Sequence, residues 1–321
     1  MAGNIRKVAL GVKAKRERVK ARALVGALKG NRVSAKTLVR YNRAILLFFE
    51  WLASKELGLP DDLVMLDALL SEYAEILWQE GESRSGLGDT LSGLTNYLKF
   101  LRGKLPDAWA QHSTWKKLEL PARATPFTKN ILMAAVGVAL SQNDLAMAAG
   151  LWLGFQGLLR TGELLGLLKA DIQVFEEQSL AVISLGFTEG GKRRGEKEQI
   201  IVSDAELVAL LALLCENMRP GESLLPTEKF FRLRFGVILK ELGLQKSGYM
   251  PYSLRRGGAT SLFLETGDWQ AVQARGRWQS IATAKIYVSE CVAMVRELSL
   301  NVNQARQMNR WKKVMLGYFS K

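Results

Sequence analysis

Only one stretch of this chain reads convincingly as a β-strand. It is Leu180-Ala-Val-Ile-Ser-Leu-Gly-Phe187, followed by a glycine-bearing turn and by EQIIV at 198–202, which can return antiparallel to it. Almost every other apolar residue recurs at three- and four-residue intervals, the period of a helix with one buried face. A chain of 321 residues with a single hairpin signal is therefore expected to be mainly α with a small antiparallel β-sheet.

Helical segments divide the chain. Ser34 is an N-cap candidate, and Leu38, Tyr41, Ile45, Phe48, Phe49 and Leu52 then form one stripe that ends near Gly58 and Pro60. A second helix is expected from about Asp62 to Gln79, and a third carries Leu91, Leu94, Tyr97, Leu98 and Leu101 up to Gly103 and Pro106. Residues 34–104 thus read as a small helical domain. The segment 105–126, with Pro106, Pro121 and Pro126, reads as a linker. Residues 127–300 form a second domain, whose first two helices flank the loop SQND.

The ends are basic. Residues 1–32 hold ten Lys or Arg against Glu17 alone, a net of +9, and residues 301–321 hold five basic residues and no acid. These account for the whole formal charge of +14, so 1–33 reads as a basic arm and 301–321 as a basic tail. Such ends suit a polyanion, with counterion release as the source of affinity; a solvated arm or a transit peptide is the alternative for the first. The longest apolar stretch, Leu145 to Leu159, is too short to span a bilayer, so no membrane association is expected. With Cys215 and Cys291 as the only cysteines and His112 as the only histidine, a Cys- or His-based metal centre and a Ser–His–Asp triad are not expected. Chemistry falls to Arg, Lys, Tyr, Trp and carboxylates.

Four segments concentrate those residues: LLRTGELLGL around Arg160, TEGGKRRGEKEQ in the hairpin turn, YSLRRGGAT around Arg255, and GRWQSIATAKIY ending at Tyr287. Attack on a phosphodiester builds negative charge on the non-bridging oxygens, which planar guanidiniums clamp bidentately. Arg160 lies in an apolar run, and Glu163 is spaced to hold it; a purely structural Arg–Glu pair is the alternative. Gly257 and Gly258 after Arg255 permit close approach, here expected of a polyanion. Tyr287 can supply a phenoxide nucleophile, although a lone helical tyrosine more often belongs to a core.

In order and interval these segments resemble the tyrosine recombinase (phage integrase) family. Arg160 and Glu163 match its first box, Tyr252 and Arg255 its His/Lys-x-x-Arg box, and Trp278 and Tyr287 its final pair nine residues apart. The resemblance covers roughly 125–298 as a catalytic domain and 34–104 as a core-binding, DNA-binding domain. It implies a two-domain, C-shaped clamp on double-stranded DNA, acting as a homodimer or homotetramer. Tyr287 would form a 3′-phosphotyrosine, Arg160 and Arg255 would stabilise the phosphorane, and Trp278 would donate its indole N–H, with no metal or other cofactor. Residues 288–321 would pack on a neighbour or, through Val292, Val295, Leu298 and Leu300, in cis.

Two positions depart from the family pattern. Position 252 is Tyr where His or Lys is usual, and Thr188-Glu189 stands where family hairpins often carry a Thr-Lys pair. Lys192 is then a candidate for the acid that protonates the leaving 5′-oxygen, Lys197 a second, and no lysine at all a third alternative. Arg193, Arg194, Lys197, Arg256, Arg275 and Arg277 are candidates for DNA contact. The expected activity is site-specific recombination or integration, such as a mobile element needs, at the nucleoid or in the nucleus. A DNA-binding relative with impaired cleavage, and a type IB topoisomerase-like nicking-closing enzyme, remain the alternatives.

Overall fold

The computed structural model describes residues 12–28, 30–120, 123–185 and 198–320. The chain divides into two compact units, one ending at Ala122 and the other beginning at Arg123.

The first unit contains α1 (Val12–Val25), α2 (Ala35–Ser54), α3 (Leu63–Gln79), α4 (Arg84–Tyr97) and α5 (Pro106–Leu118). Ser34 caps α2 by accepting the Thr37 N–H, and Asp62 caps α3 through the N–H groups of Val64 and Met65. Phe48, Leu52, Leu70, Leu87, Leu91 and Leu101 are the centre of the core. Phe49, expected in the buried stripe, is instead 39% exposed, because the face is set by Ile45, Phe48 and Leu52. Gly93 lets α2 and α4 approach closely: a Cβ there would lie 2.9 Å from Ile45 Cδ1.

Helix α5 corrects the linker expected over 105–126. Pro106 begins a helix rather than breaking one, since a proline in the first turn has no partner to lose. The carboxylate of Asp67 then accepts from the backbone N–H groups of Asp107 and Ala108, at 2.9 and 3.0 Å, and Ala108 and Trp115 are buried.

In the second unit the order is α6 (Lys129–Ser141), α7 (Leu145–Gln156), α8 (Thr161–Leu165), β1 (Ile172–Phe175), β2 (Leu180–Leu185), β3 (Glu198–Val202), α9 (Ala205–Glu216), α10 (Glu228–Glu241), α11 (Tyr252–Thr266), α12 (Trp269–Gly276), α13 (Ile281–Lys285), α14 (Glu290–Leu298) and α15 (Val302–Phe319). The sheet is antiparallel in the order β1-β2-β3, with Leu185 opposite Glu198 and Ile172 opposite Ile183. β1, only four residues long, is the strand that the sequence pattern did not disclose.

Helix α11 runs through the core, and its glycines explain how. A Cβ on Gly257 would lie 2.2 Å from the Phe127 carbonyl oxygen, and one on Gly258 would lie 1.9 Å from that of Phe155. The close approach expected of these residues is therefore to the protein's own backbone and not to a polyanion. This packing places Arg255, two residues earlier, beside the turn that follows α7, where it donates to the Leu158 carbonyl.

The basic segment 301–321 is also corrected. It is not a tail: α15 lies along α6 with Met308 and Met315 buried, and a Cβ on Gly137 of α6 would meet the Trp311 carbonyl oxygen at 1.9 Å. Leu300 packs against the same core. By contrast Val292, Val295 and Leu298 on α14 are exposed, so they do not form the cis contact.

Candidate active site

Arg160 is the N-cap of α8, extended at φ −68° and ψ 148°. Its N–H donates to Glu163 Oε2 at 3.0 Å and its guanidinium pairs with Glu163 Oε1, while 40% of the Arg160 side chain stays exposed. Glu163 is buried beneath it. Burial opposes the Glu163 charge, yet Arg277 and then Arg160 outweigh it and hold the carboxyl down at about 2. The one-turn spacing read from the sequence thus yields an oriented, partly open guanidinium on a buried anion.

Arg255 is fully buried. It donates to the Leu158 carbonyl and, at 2.6 Å, to the Gly276 carbonyl. Its guanidinium carbon lies 4.7 Å from the centre of the Trp278 ring and 5.4 Å from that of Tyr287. Burial, with Arg160 and Arg277 pushing the same way, lowers its pKa to about 10, so it stays charged at neutral pH. Its Nε has no hydrogen-bond partner among the described residues. Trp278 can cover it because position 276 is glycine, where a Cβ would come within 2.0 Å of the indole.

Tyr252, the first residue of α11, donates its hydroxyl to the Tyr287 oxygen at 2.6 Å. The Trp278 ring is 4.4 Å from that of Tyr287; its indole N–H lies close to the same oxygen without completing a hydrogen bond. Burial resists ionisation of Tyr287, but the Tyr252 hydrogen bond, the indole and the charges of Arg255 and Arg160 prevail, and its pKa is lowered. Burial and the role of donor raise that of Tyr252. The pair is polarised: one phenol keeps its proton so that the other can lose it.

The structure therefore brings Arg160, Glu163, Tyr252, Arg255, Trp278 and Tyr287 together. Lys192, Arg193, Arg194 and Lys197, in the hairpin turn, lie outside the described residues, as does Glu189. The other arginines expected to contact DNA each donate to an acceptor within the protein. Arg256 is buried and donates to the Ile286 carbonyl at 3.3 Å and to Ser289 Oγ. Arg275 donates to the Ile201 carbonyl at 2.6 Å. Arg277 pairs with Glu163 at 2.8 Å. A basic residue beside a motif looks like a phosphate contact in sequence; here the nearby carbonyls left by short helices and turns claim it first.

Sequence reasoning also missed Arg123, whose guanidinium donates to the Ile286 carbonyl at 3.3 Å. Arg123 and Arg256 thus grip the residue preceding Tyr287. No pattern in the sequence marks that pairing, since the partners are 163 positions apart.

Several known proteins share this architecture. Tyrosine recombinase XerC of Methylobacterium nodulans is 25% identical over 280 residues, covering 80% of this chain and 83% of that protein. The Tn1549 transposon integrase, solved with circular intermediate DNA, superposes with a TM-score of 0.57 at 13% identity, covering 90% of this chain and 98% of that one. The XerH site-specific recombinase in its post-cleavage complex with a palindromic difH substrate gives 0.52 at 18%, covering 85% and 80%. A lambda integrase dimer on a COC′ core site gives 0.54 at 16%, covering 86% and 76%. No family model matches the chain. The three structures establish the fold, and the XerC relative, at 25% identity, spans both units: the chain is similar in fold, and more distantly in sequence, to tyrosine recombinases and integrases.

Proposed function

We propose that this protein is a site-specific DNA recombinase or integrase that breaks and rejoins strands through a phosphotyrosine at Tyr287. The observation that carries the reading is the polarised Tyr252–Tyr287 pair, 2.6 Å between oxygens, set over the Arg255 guanidinium. Tyr287 Oη attacks the scissile phosphorus, an O–P bond forms, and the bond to the 5′-oxygen breaks. Arg160 and Arg255 stabilise the phosphorane, and the unpartnered indole N–H of Trp278 serves a non-bridging oxygen. Lys192 is the acid for the leaving 5′-oxygen, with Lys197 as the alternative. A 5′-hydroxyl from a second strand then reverses the reaction, so the bond is conserved in the phosphotyrosine.

Because Arg255 is covered by both rings, phosphate entry requires Tyr287 and Trp278 to shift as DNA binds. Residues 34–104 form the core-binding part on the duplex, and the unit that carries Tyr287 does the chemistry. The protein works as a homodimer or homotetramer on its site, with the exposed Val292, Val295 and Leu298 of α14 facing a second copy. It acts inside the cell, on nucleoid or nuclear DNA.

Covalent trapping tests the reading. The protein is incubated with nicked duplexes taken from around its own gene and scored for SDS-resistant adducts. An adduct lost in Tyr287→Phe supports it; no adduct on DNA that the protein binds overturns it in favour of a non-cleaving relative. Plasmid relaxation without joint products marks a topoisomerase-like activity instead. Tyr252→Phe removes the donor that lowers the Tyr287 pKa. The rising limb of cleavage rate against pH then moves to higher pH, with a loss of about tenfold at neutral pH.

A further inference from the structure

Arg277 closes α12 as a left-handed C-cap, its N–H donating to the Ala274 carbonyl at 3.0 Å and that of Trp278 to the Gln273 carbonyl at 3.1 Å. It stands directly before Trp278 with φ at +55°, and across from it Leu158 has φ at +46°. Neither is glycine, and left-handed backbone at such residues persists only where the surroundings impose it. The Arg277 guanidinium joins the two turns beside that of Arg255, which bridges the Leu158 and Gly276 carbonyls. Nη1 donates to the Gly157 carbonyl at 3.0 Å and Nη2 to the Leu158 carbonyl at 3.1 Å. Nη1 also reaches the Arg275 carbonyl at 3.0 Å, Nη2 reaches Glu163 Oε2 at 2.8 Å, and Nε lies 3.3 Å from Glu198 Oε2.

Two of these partners are shared with the phosphate-binding arginines. Leu158 O also accepts from Arg255, and Glu163 also holds Arg160. Among the described residues, the charged groups facing Glu163 include Arg160 from the start of α8, Arg255 from α11 at 3.9 Å and Arg277 from the turn after α12. Glu198 on β3 meets the same cluster through Arg277.

We propose that Arg277 is a positioning residue of the strand-transfer centre: by fixing the Gly157–Leu158 turn and the Glu163 carboxylate together, it sets the places of Arg160 and Arg255. This rests on the recombinase reading. A surface DNA contact does not fit, since only 9% of the side chain is exposed. A merely backbone role does not fit either, because glycine would hold this φ with less strain.

The test is Arg277→Gly, which keeps the left-handed turn, beside Arg277→Lys, which keeps charge but cannot fork. At saturating nicked duplex, adduct formation is expected to fall at least about tenfold in the glycine variant with DNA affinity within about twofold of wild type, and the lysine variant to recover only part. A second readout needs no DNA: the Glu163 carboxyl carbon, followed by NMR in ¹³C-glutamate-labelled protein and assigned with Glu163→Gln. The Glu163 pKa lies at about 2 in the wild type and is expected at clearly higher pH in Arg277→Gly, with a smaller rise in Arg277→Lys, which keeps the charge. Wild-type adduct rates in Arg277→Gly overturn the proposal. So does a slow adduct with Glu163 unmoved, because the loss then does not run through the carboxylate. If the glycine variant does not fold, the lysine variant decides by the same two readouts. If the wild type itself forms no adduct, the recombinase reading fails and the carboxyl titration alone decides the place of Arg277: unmoved, it overturns; moved, it supports.

Discussion

The two basic ends of the chain look alike in composition and behave differently in the fold. Helix α1, VKAKRERVKARALV, has Val19 58% exposed, and nearly all its described side chains are exposed. Helix α15 carries Arg306, Arg310, Lys312 and Lys313, yet it buries Met308 and Met315 against α6 and places Phe319 5.8 Å from the Trp152 ring. Charge counted over a window does not separate the two. The spacing of Met308, Trp311 and Met315 at three and seven residues does, because it puts all three on one face.

Truncation before Val302 tests this contrast most severely. It strips the buried methionines from the core and is expected to cost on the order of 5 kcal/mol or more, read as loss of cooperative melting of the second unit. Removal of residues 1–28 is expected to leave that transition in place; a comparable loss would erase the distinction. Gly137→Val places methyl groups against the Trp311 backbone and is expected to destabilise by about 3 kcal/mol in urea unfolding. Neutralising Lys15, Arg16 and Lys20 to Gln is expected to change stability by less than about 0.5 kcal/mol. It lowers DNA affinity, and the salt dependence flattens by about 0.9 for each phosphate contact removed. Smallest of all is Lys313→Gln on the exposed face of α15, for which no change in melting is expected.

The site was legible in sequence to the extent that its residues sit at local intervals. Arg160 and Glu163 are one turn apart, and Trp278 and Tyr287 flank one short helix, so spacing alone could pair them. Tyr252 was read as a departure from a His or Lys, and the structure turns it into the donor to Tyr287, a relation across 35 positions. Arg256, Arg275 and Arg277, expected to contact DNA, each donate to an acceptor of the protein itself. A guanidinium seeks any acceptor, and whether that is a phosphate or a carbonyl depends on which helix ends stand nearby. Gly257 and Gly258 show the same limit: the sequence says that something comes close, and only the packing says what.

By itself, the sequence determined the helical units, the hairpin, the cap at Ser34 and the order of the segments that meet at the candidate site. Each is written in periodicity or in spacing within a few turns, where the backbone enforces geometry without help. The tertiary structure decided which basic end is core, that Pro106 opens a helix, and which arginines face inward. Those outcomes depend on contacts between segments far apart in the chain, where acceptors, carboxylates and apolar faces compete for the same side chains. The competition at Glu163, held by Arg160 and Arg277 from separate turns, is settled only once both turns are in place.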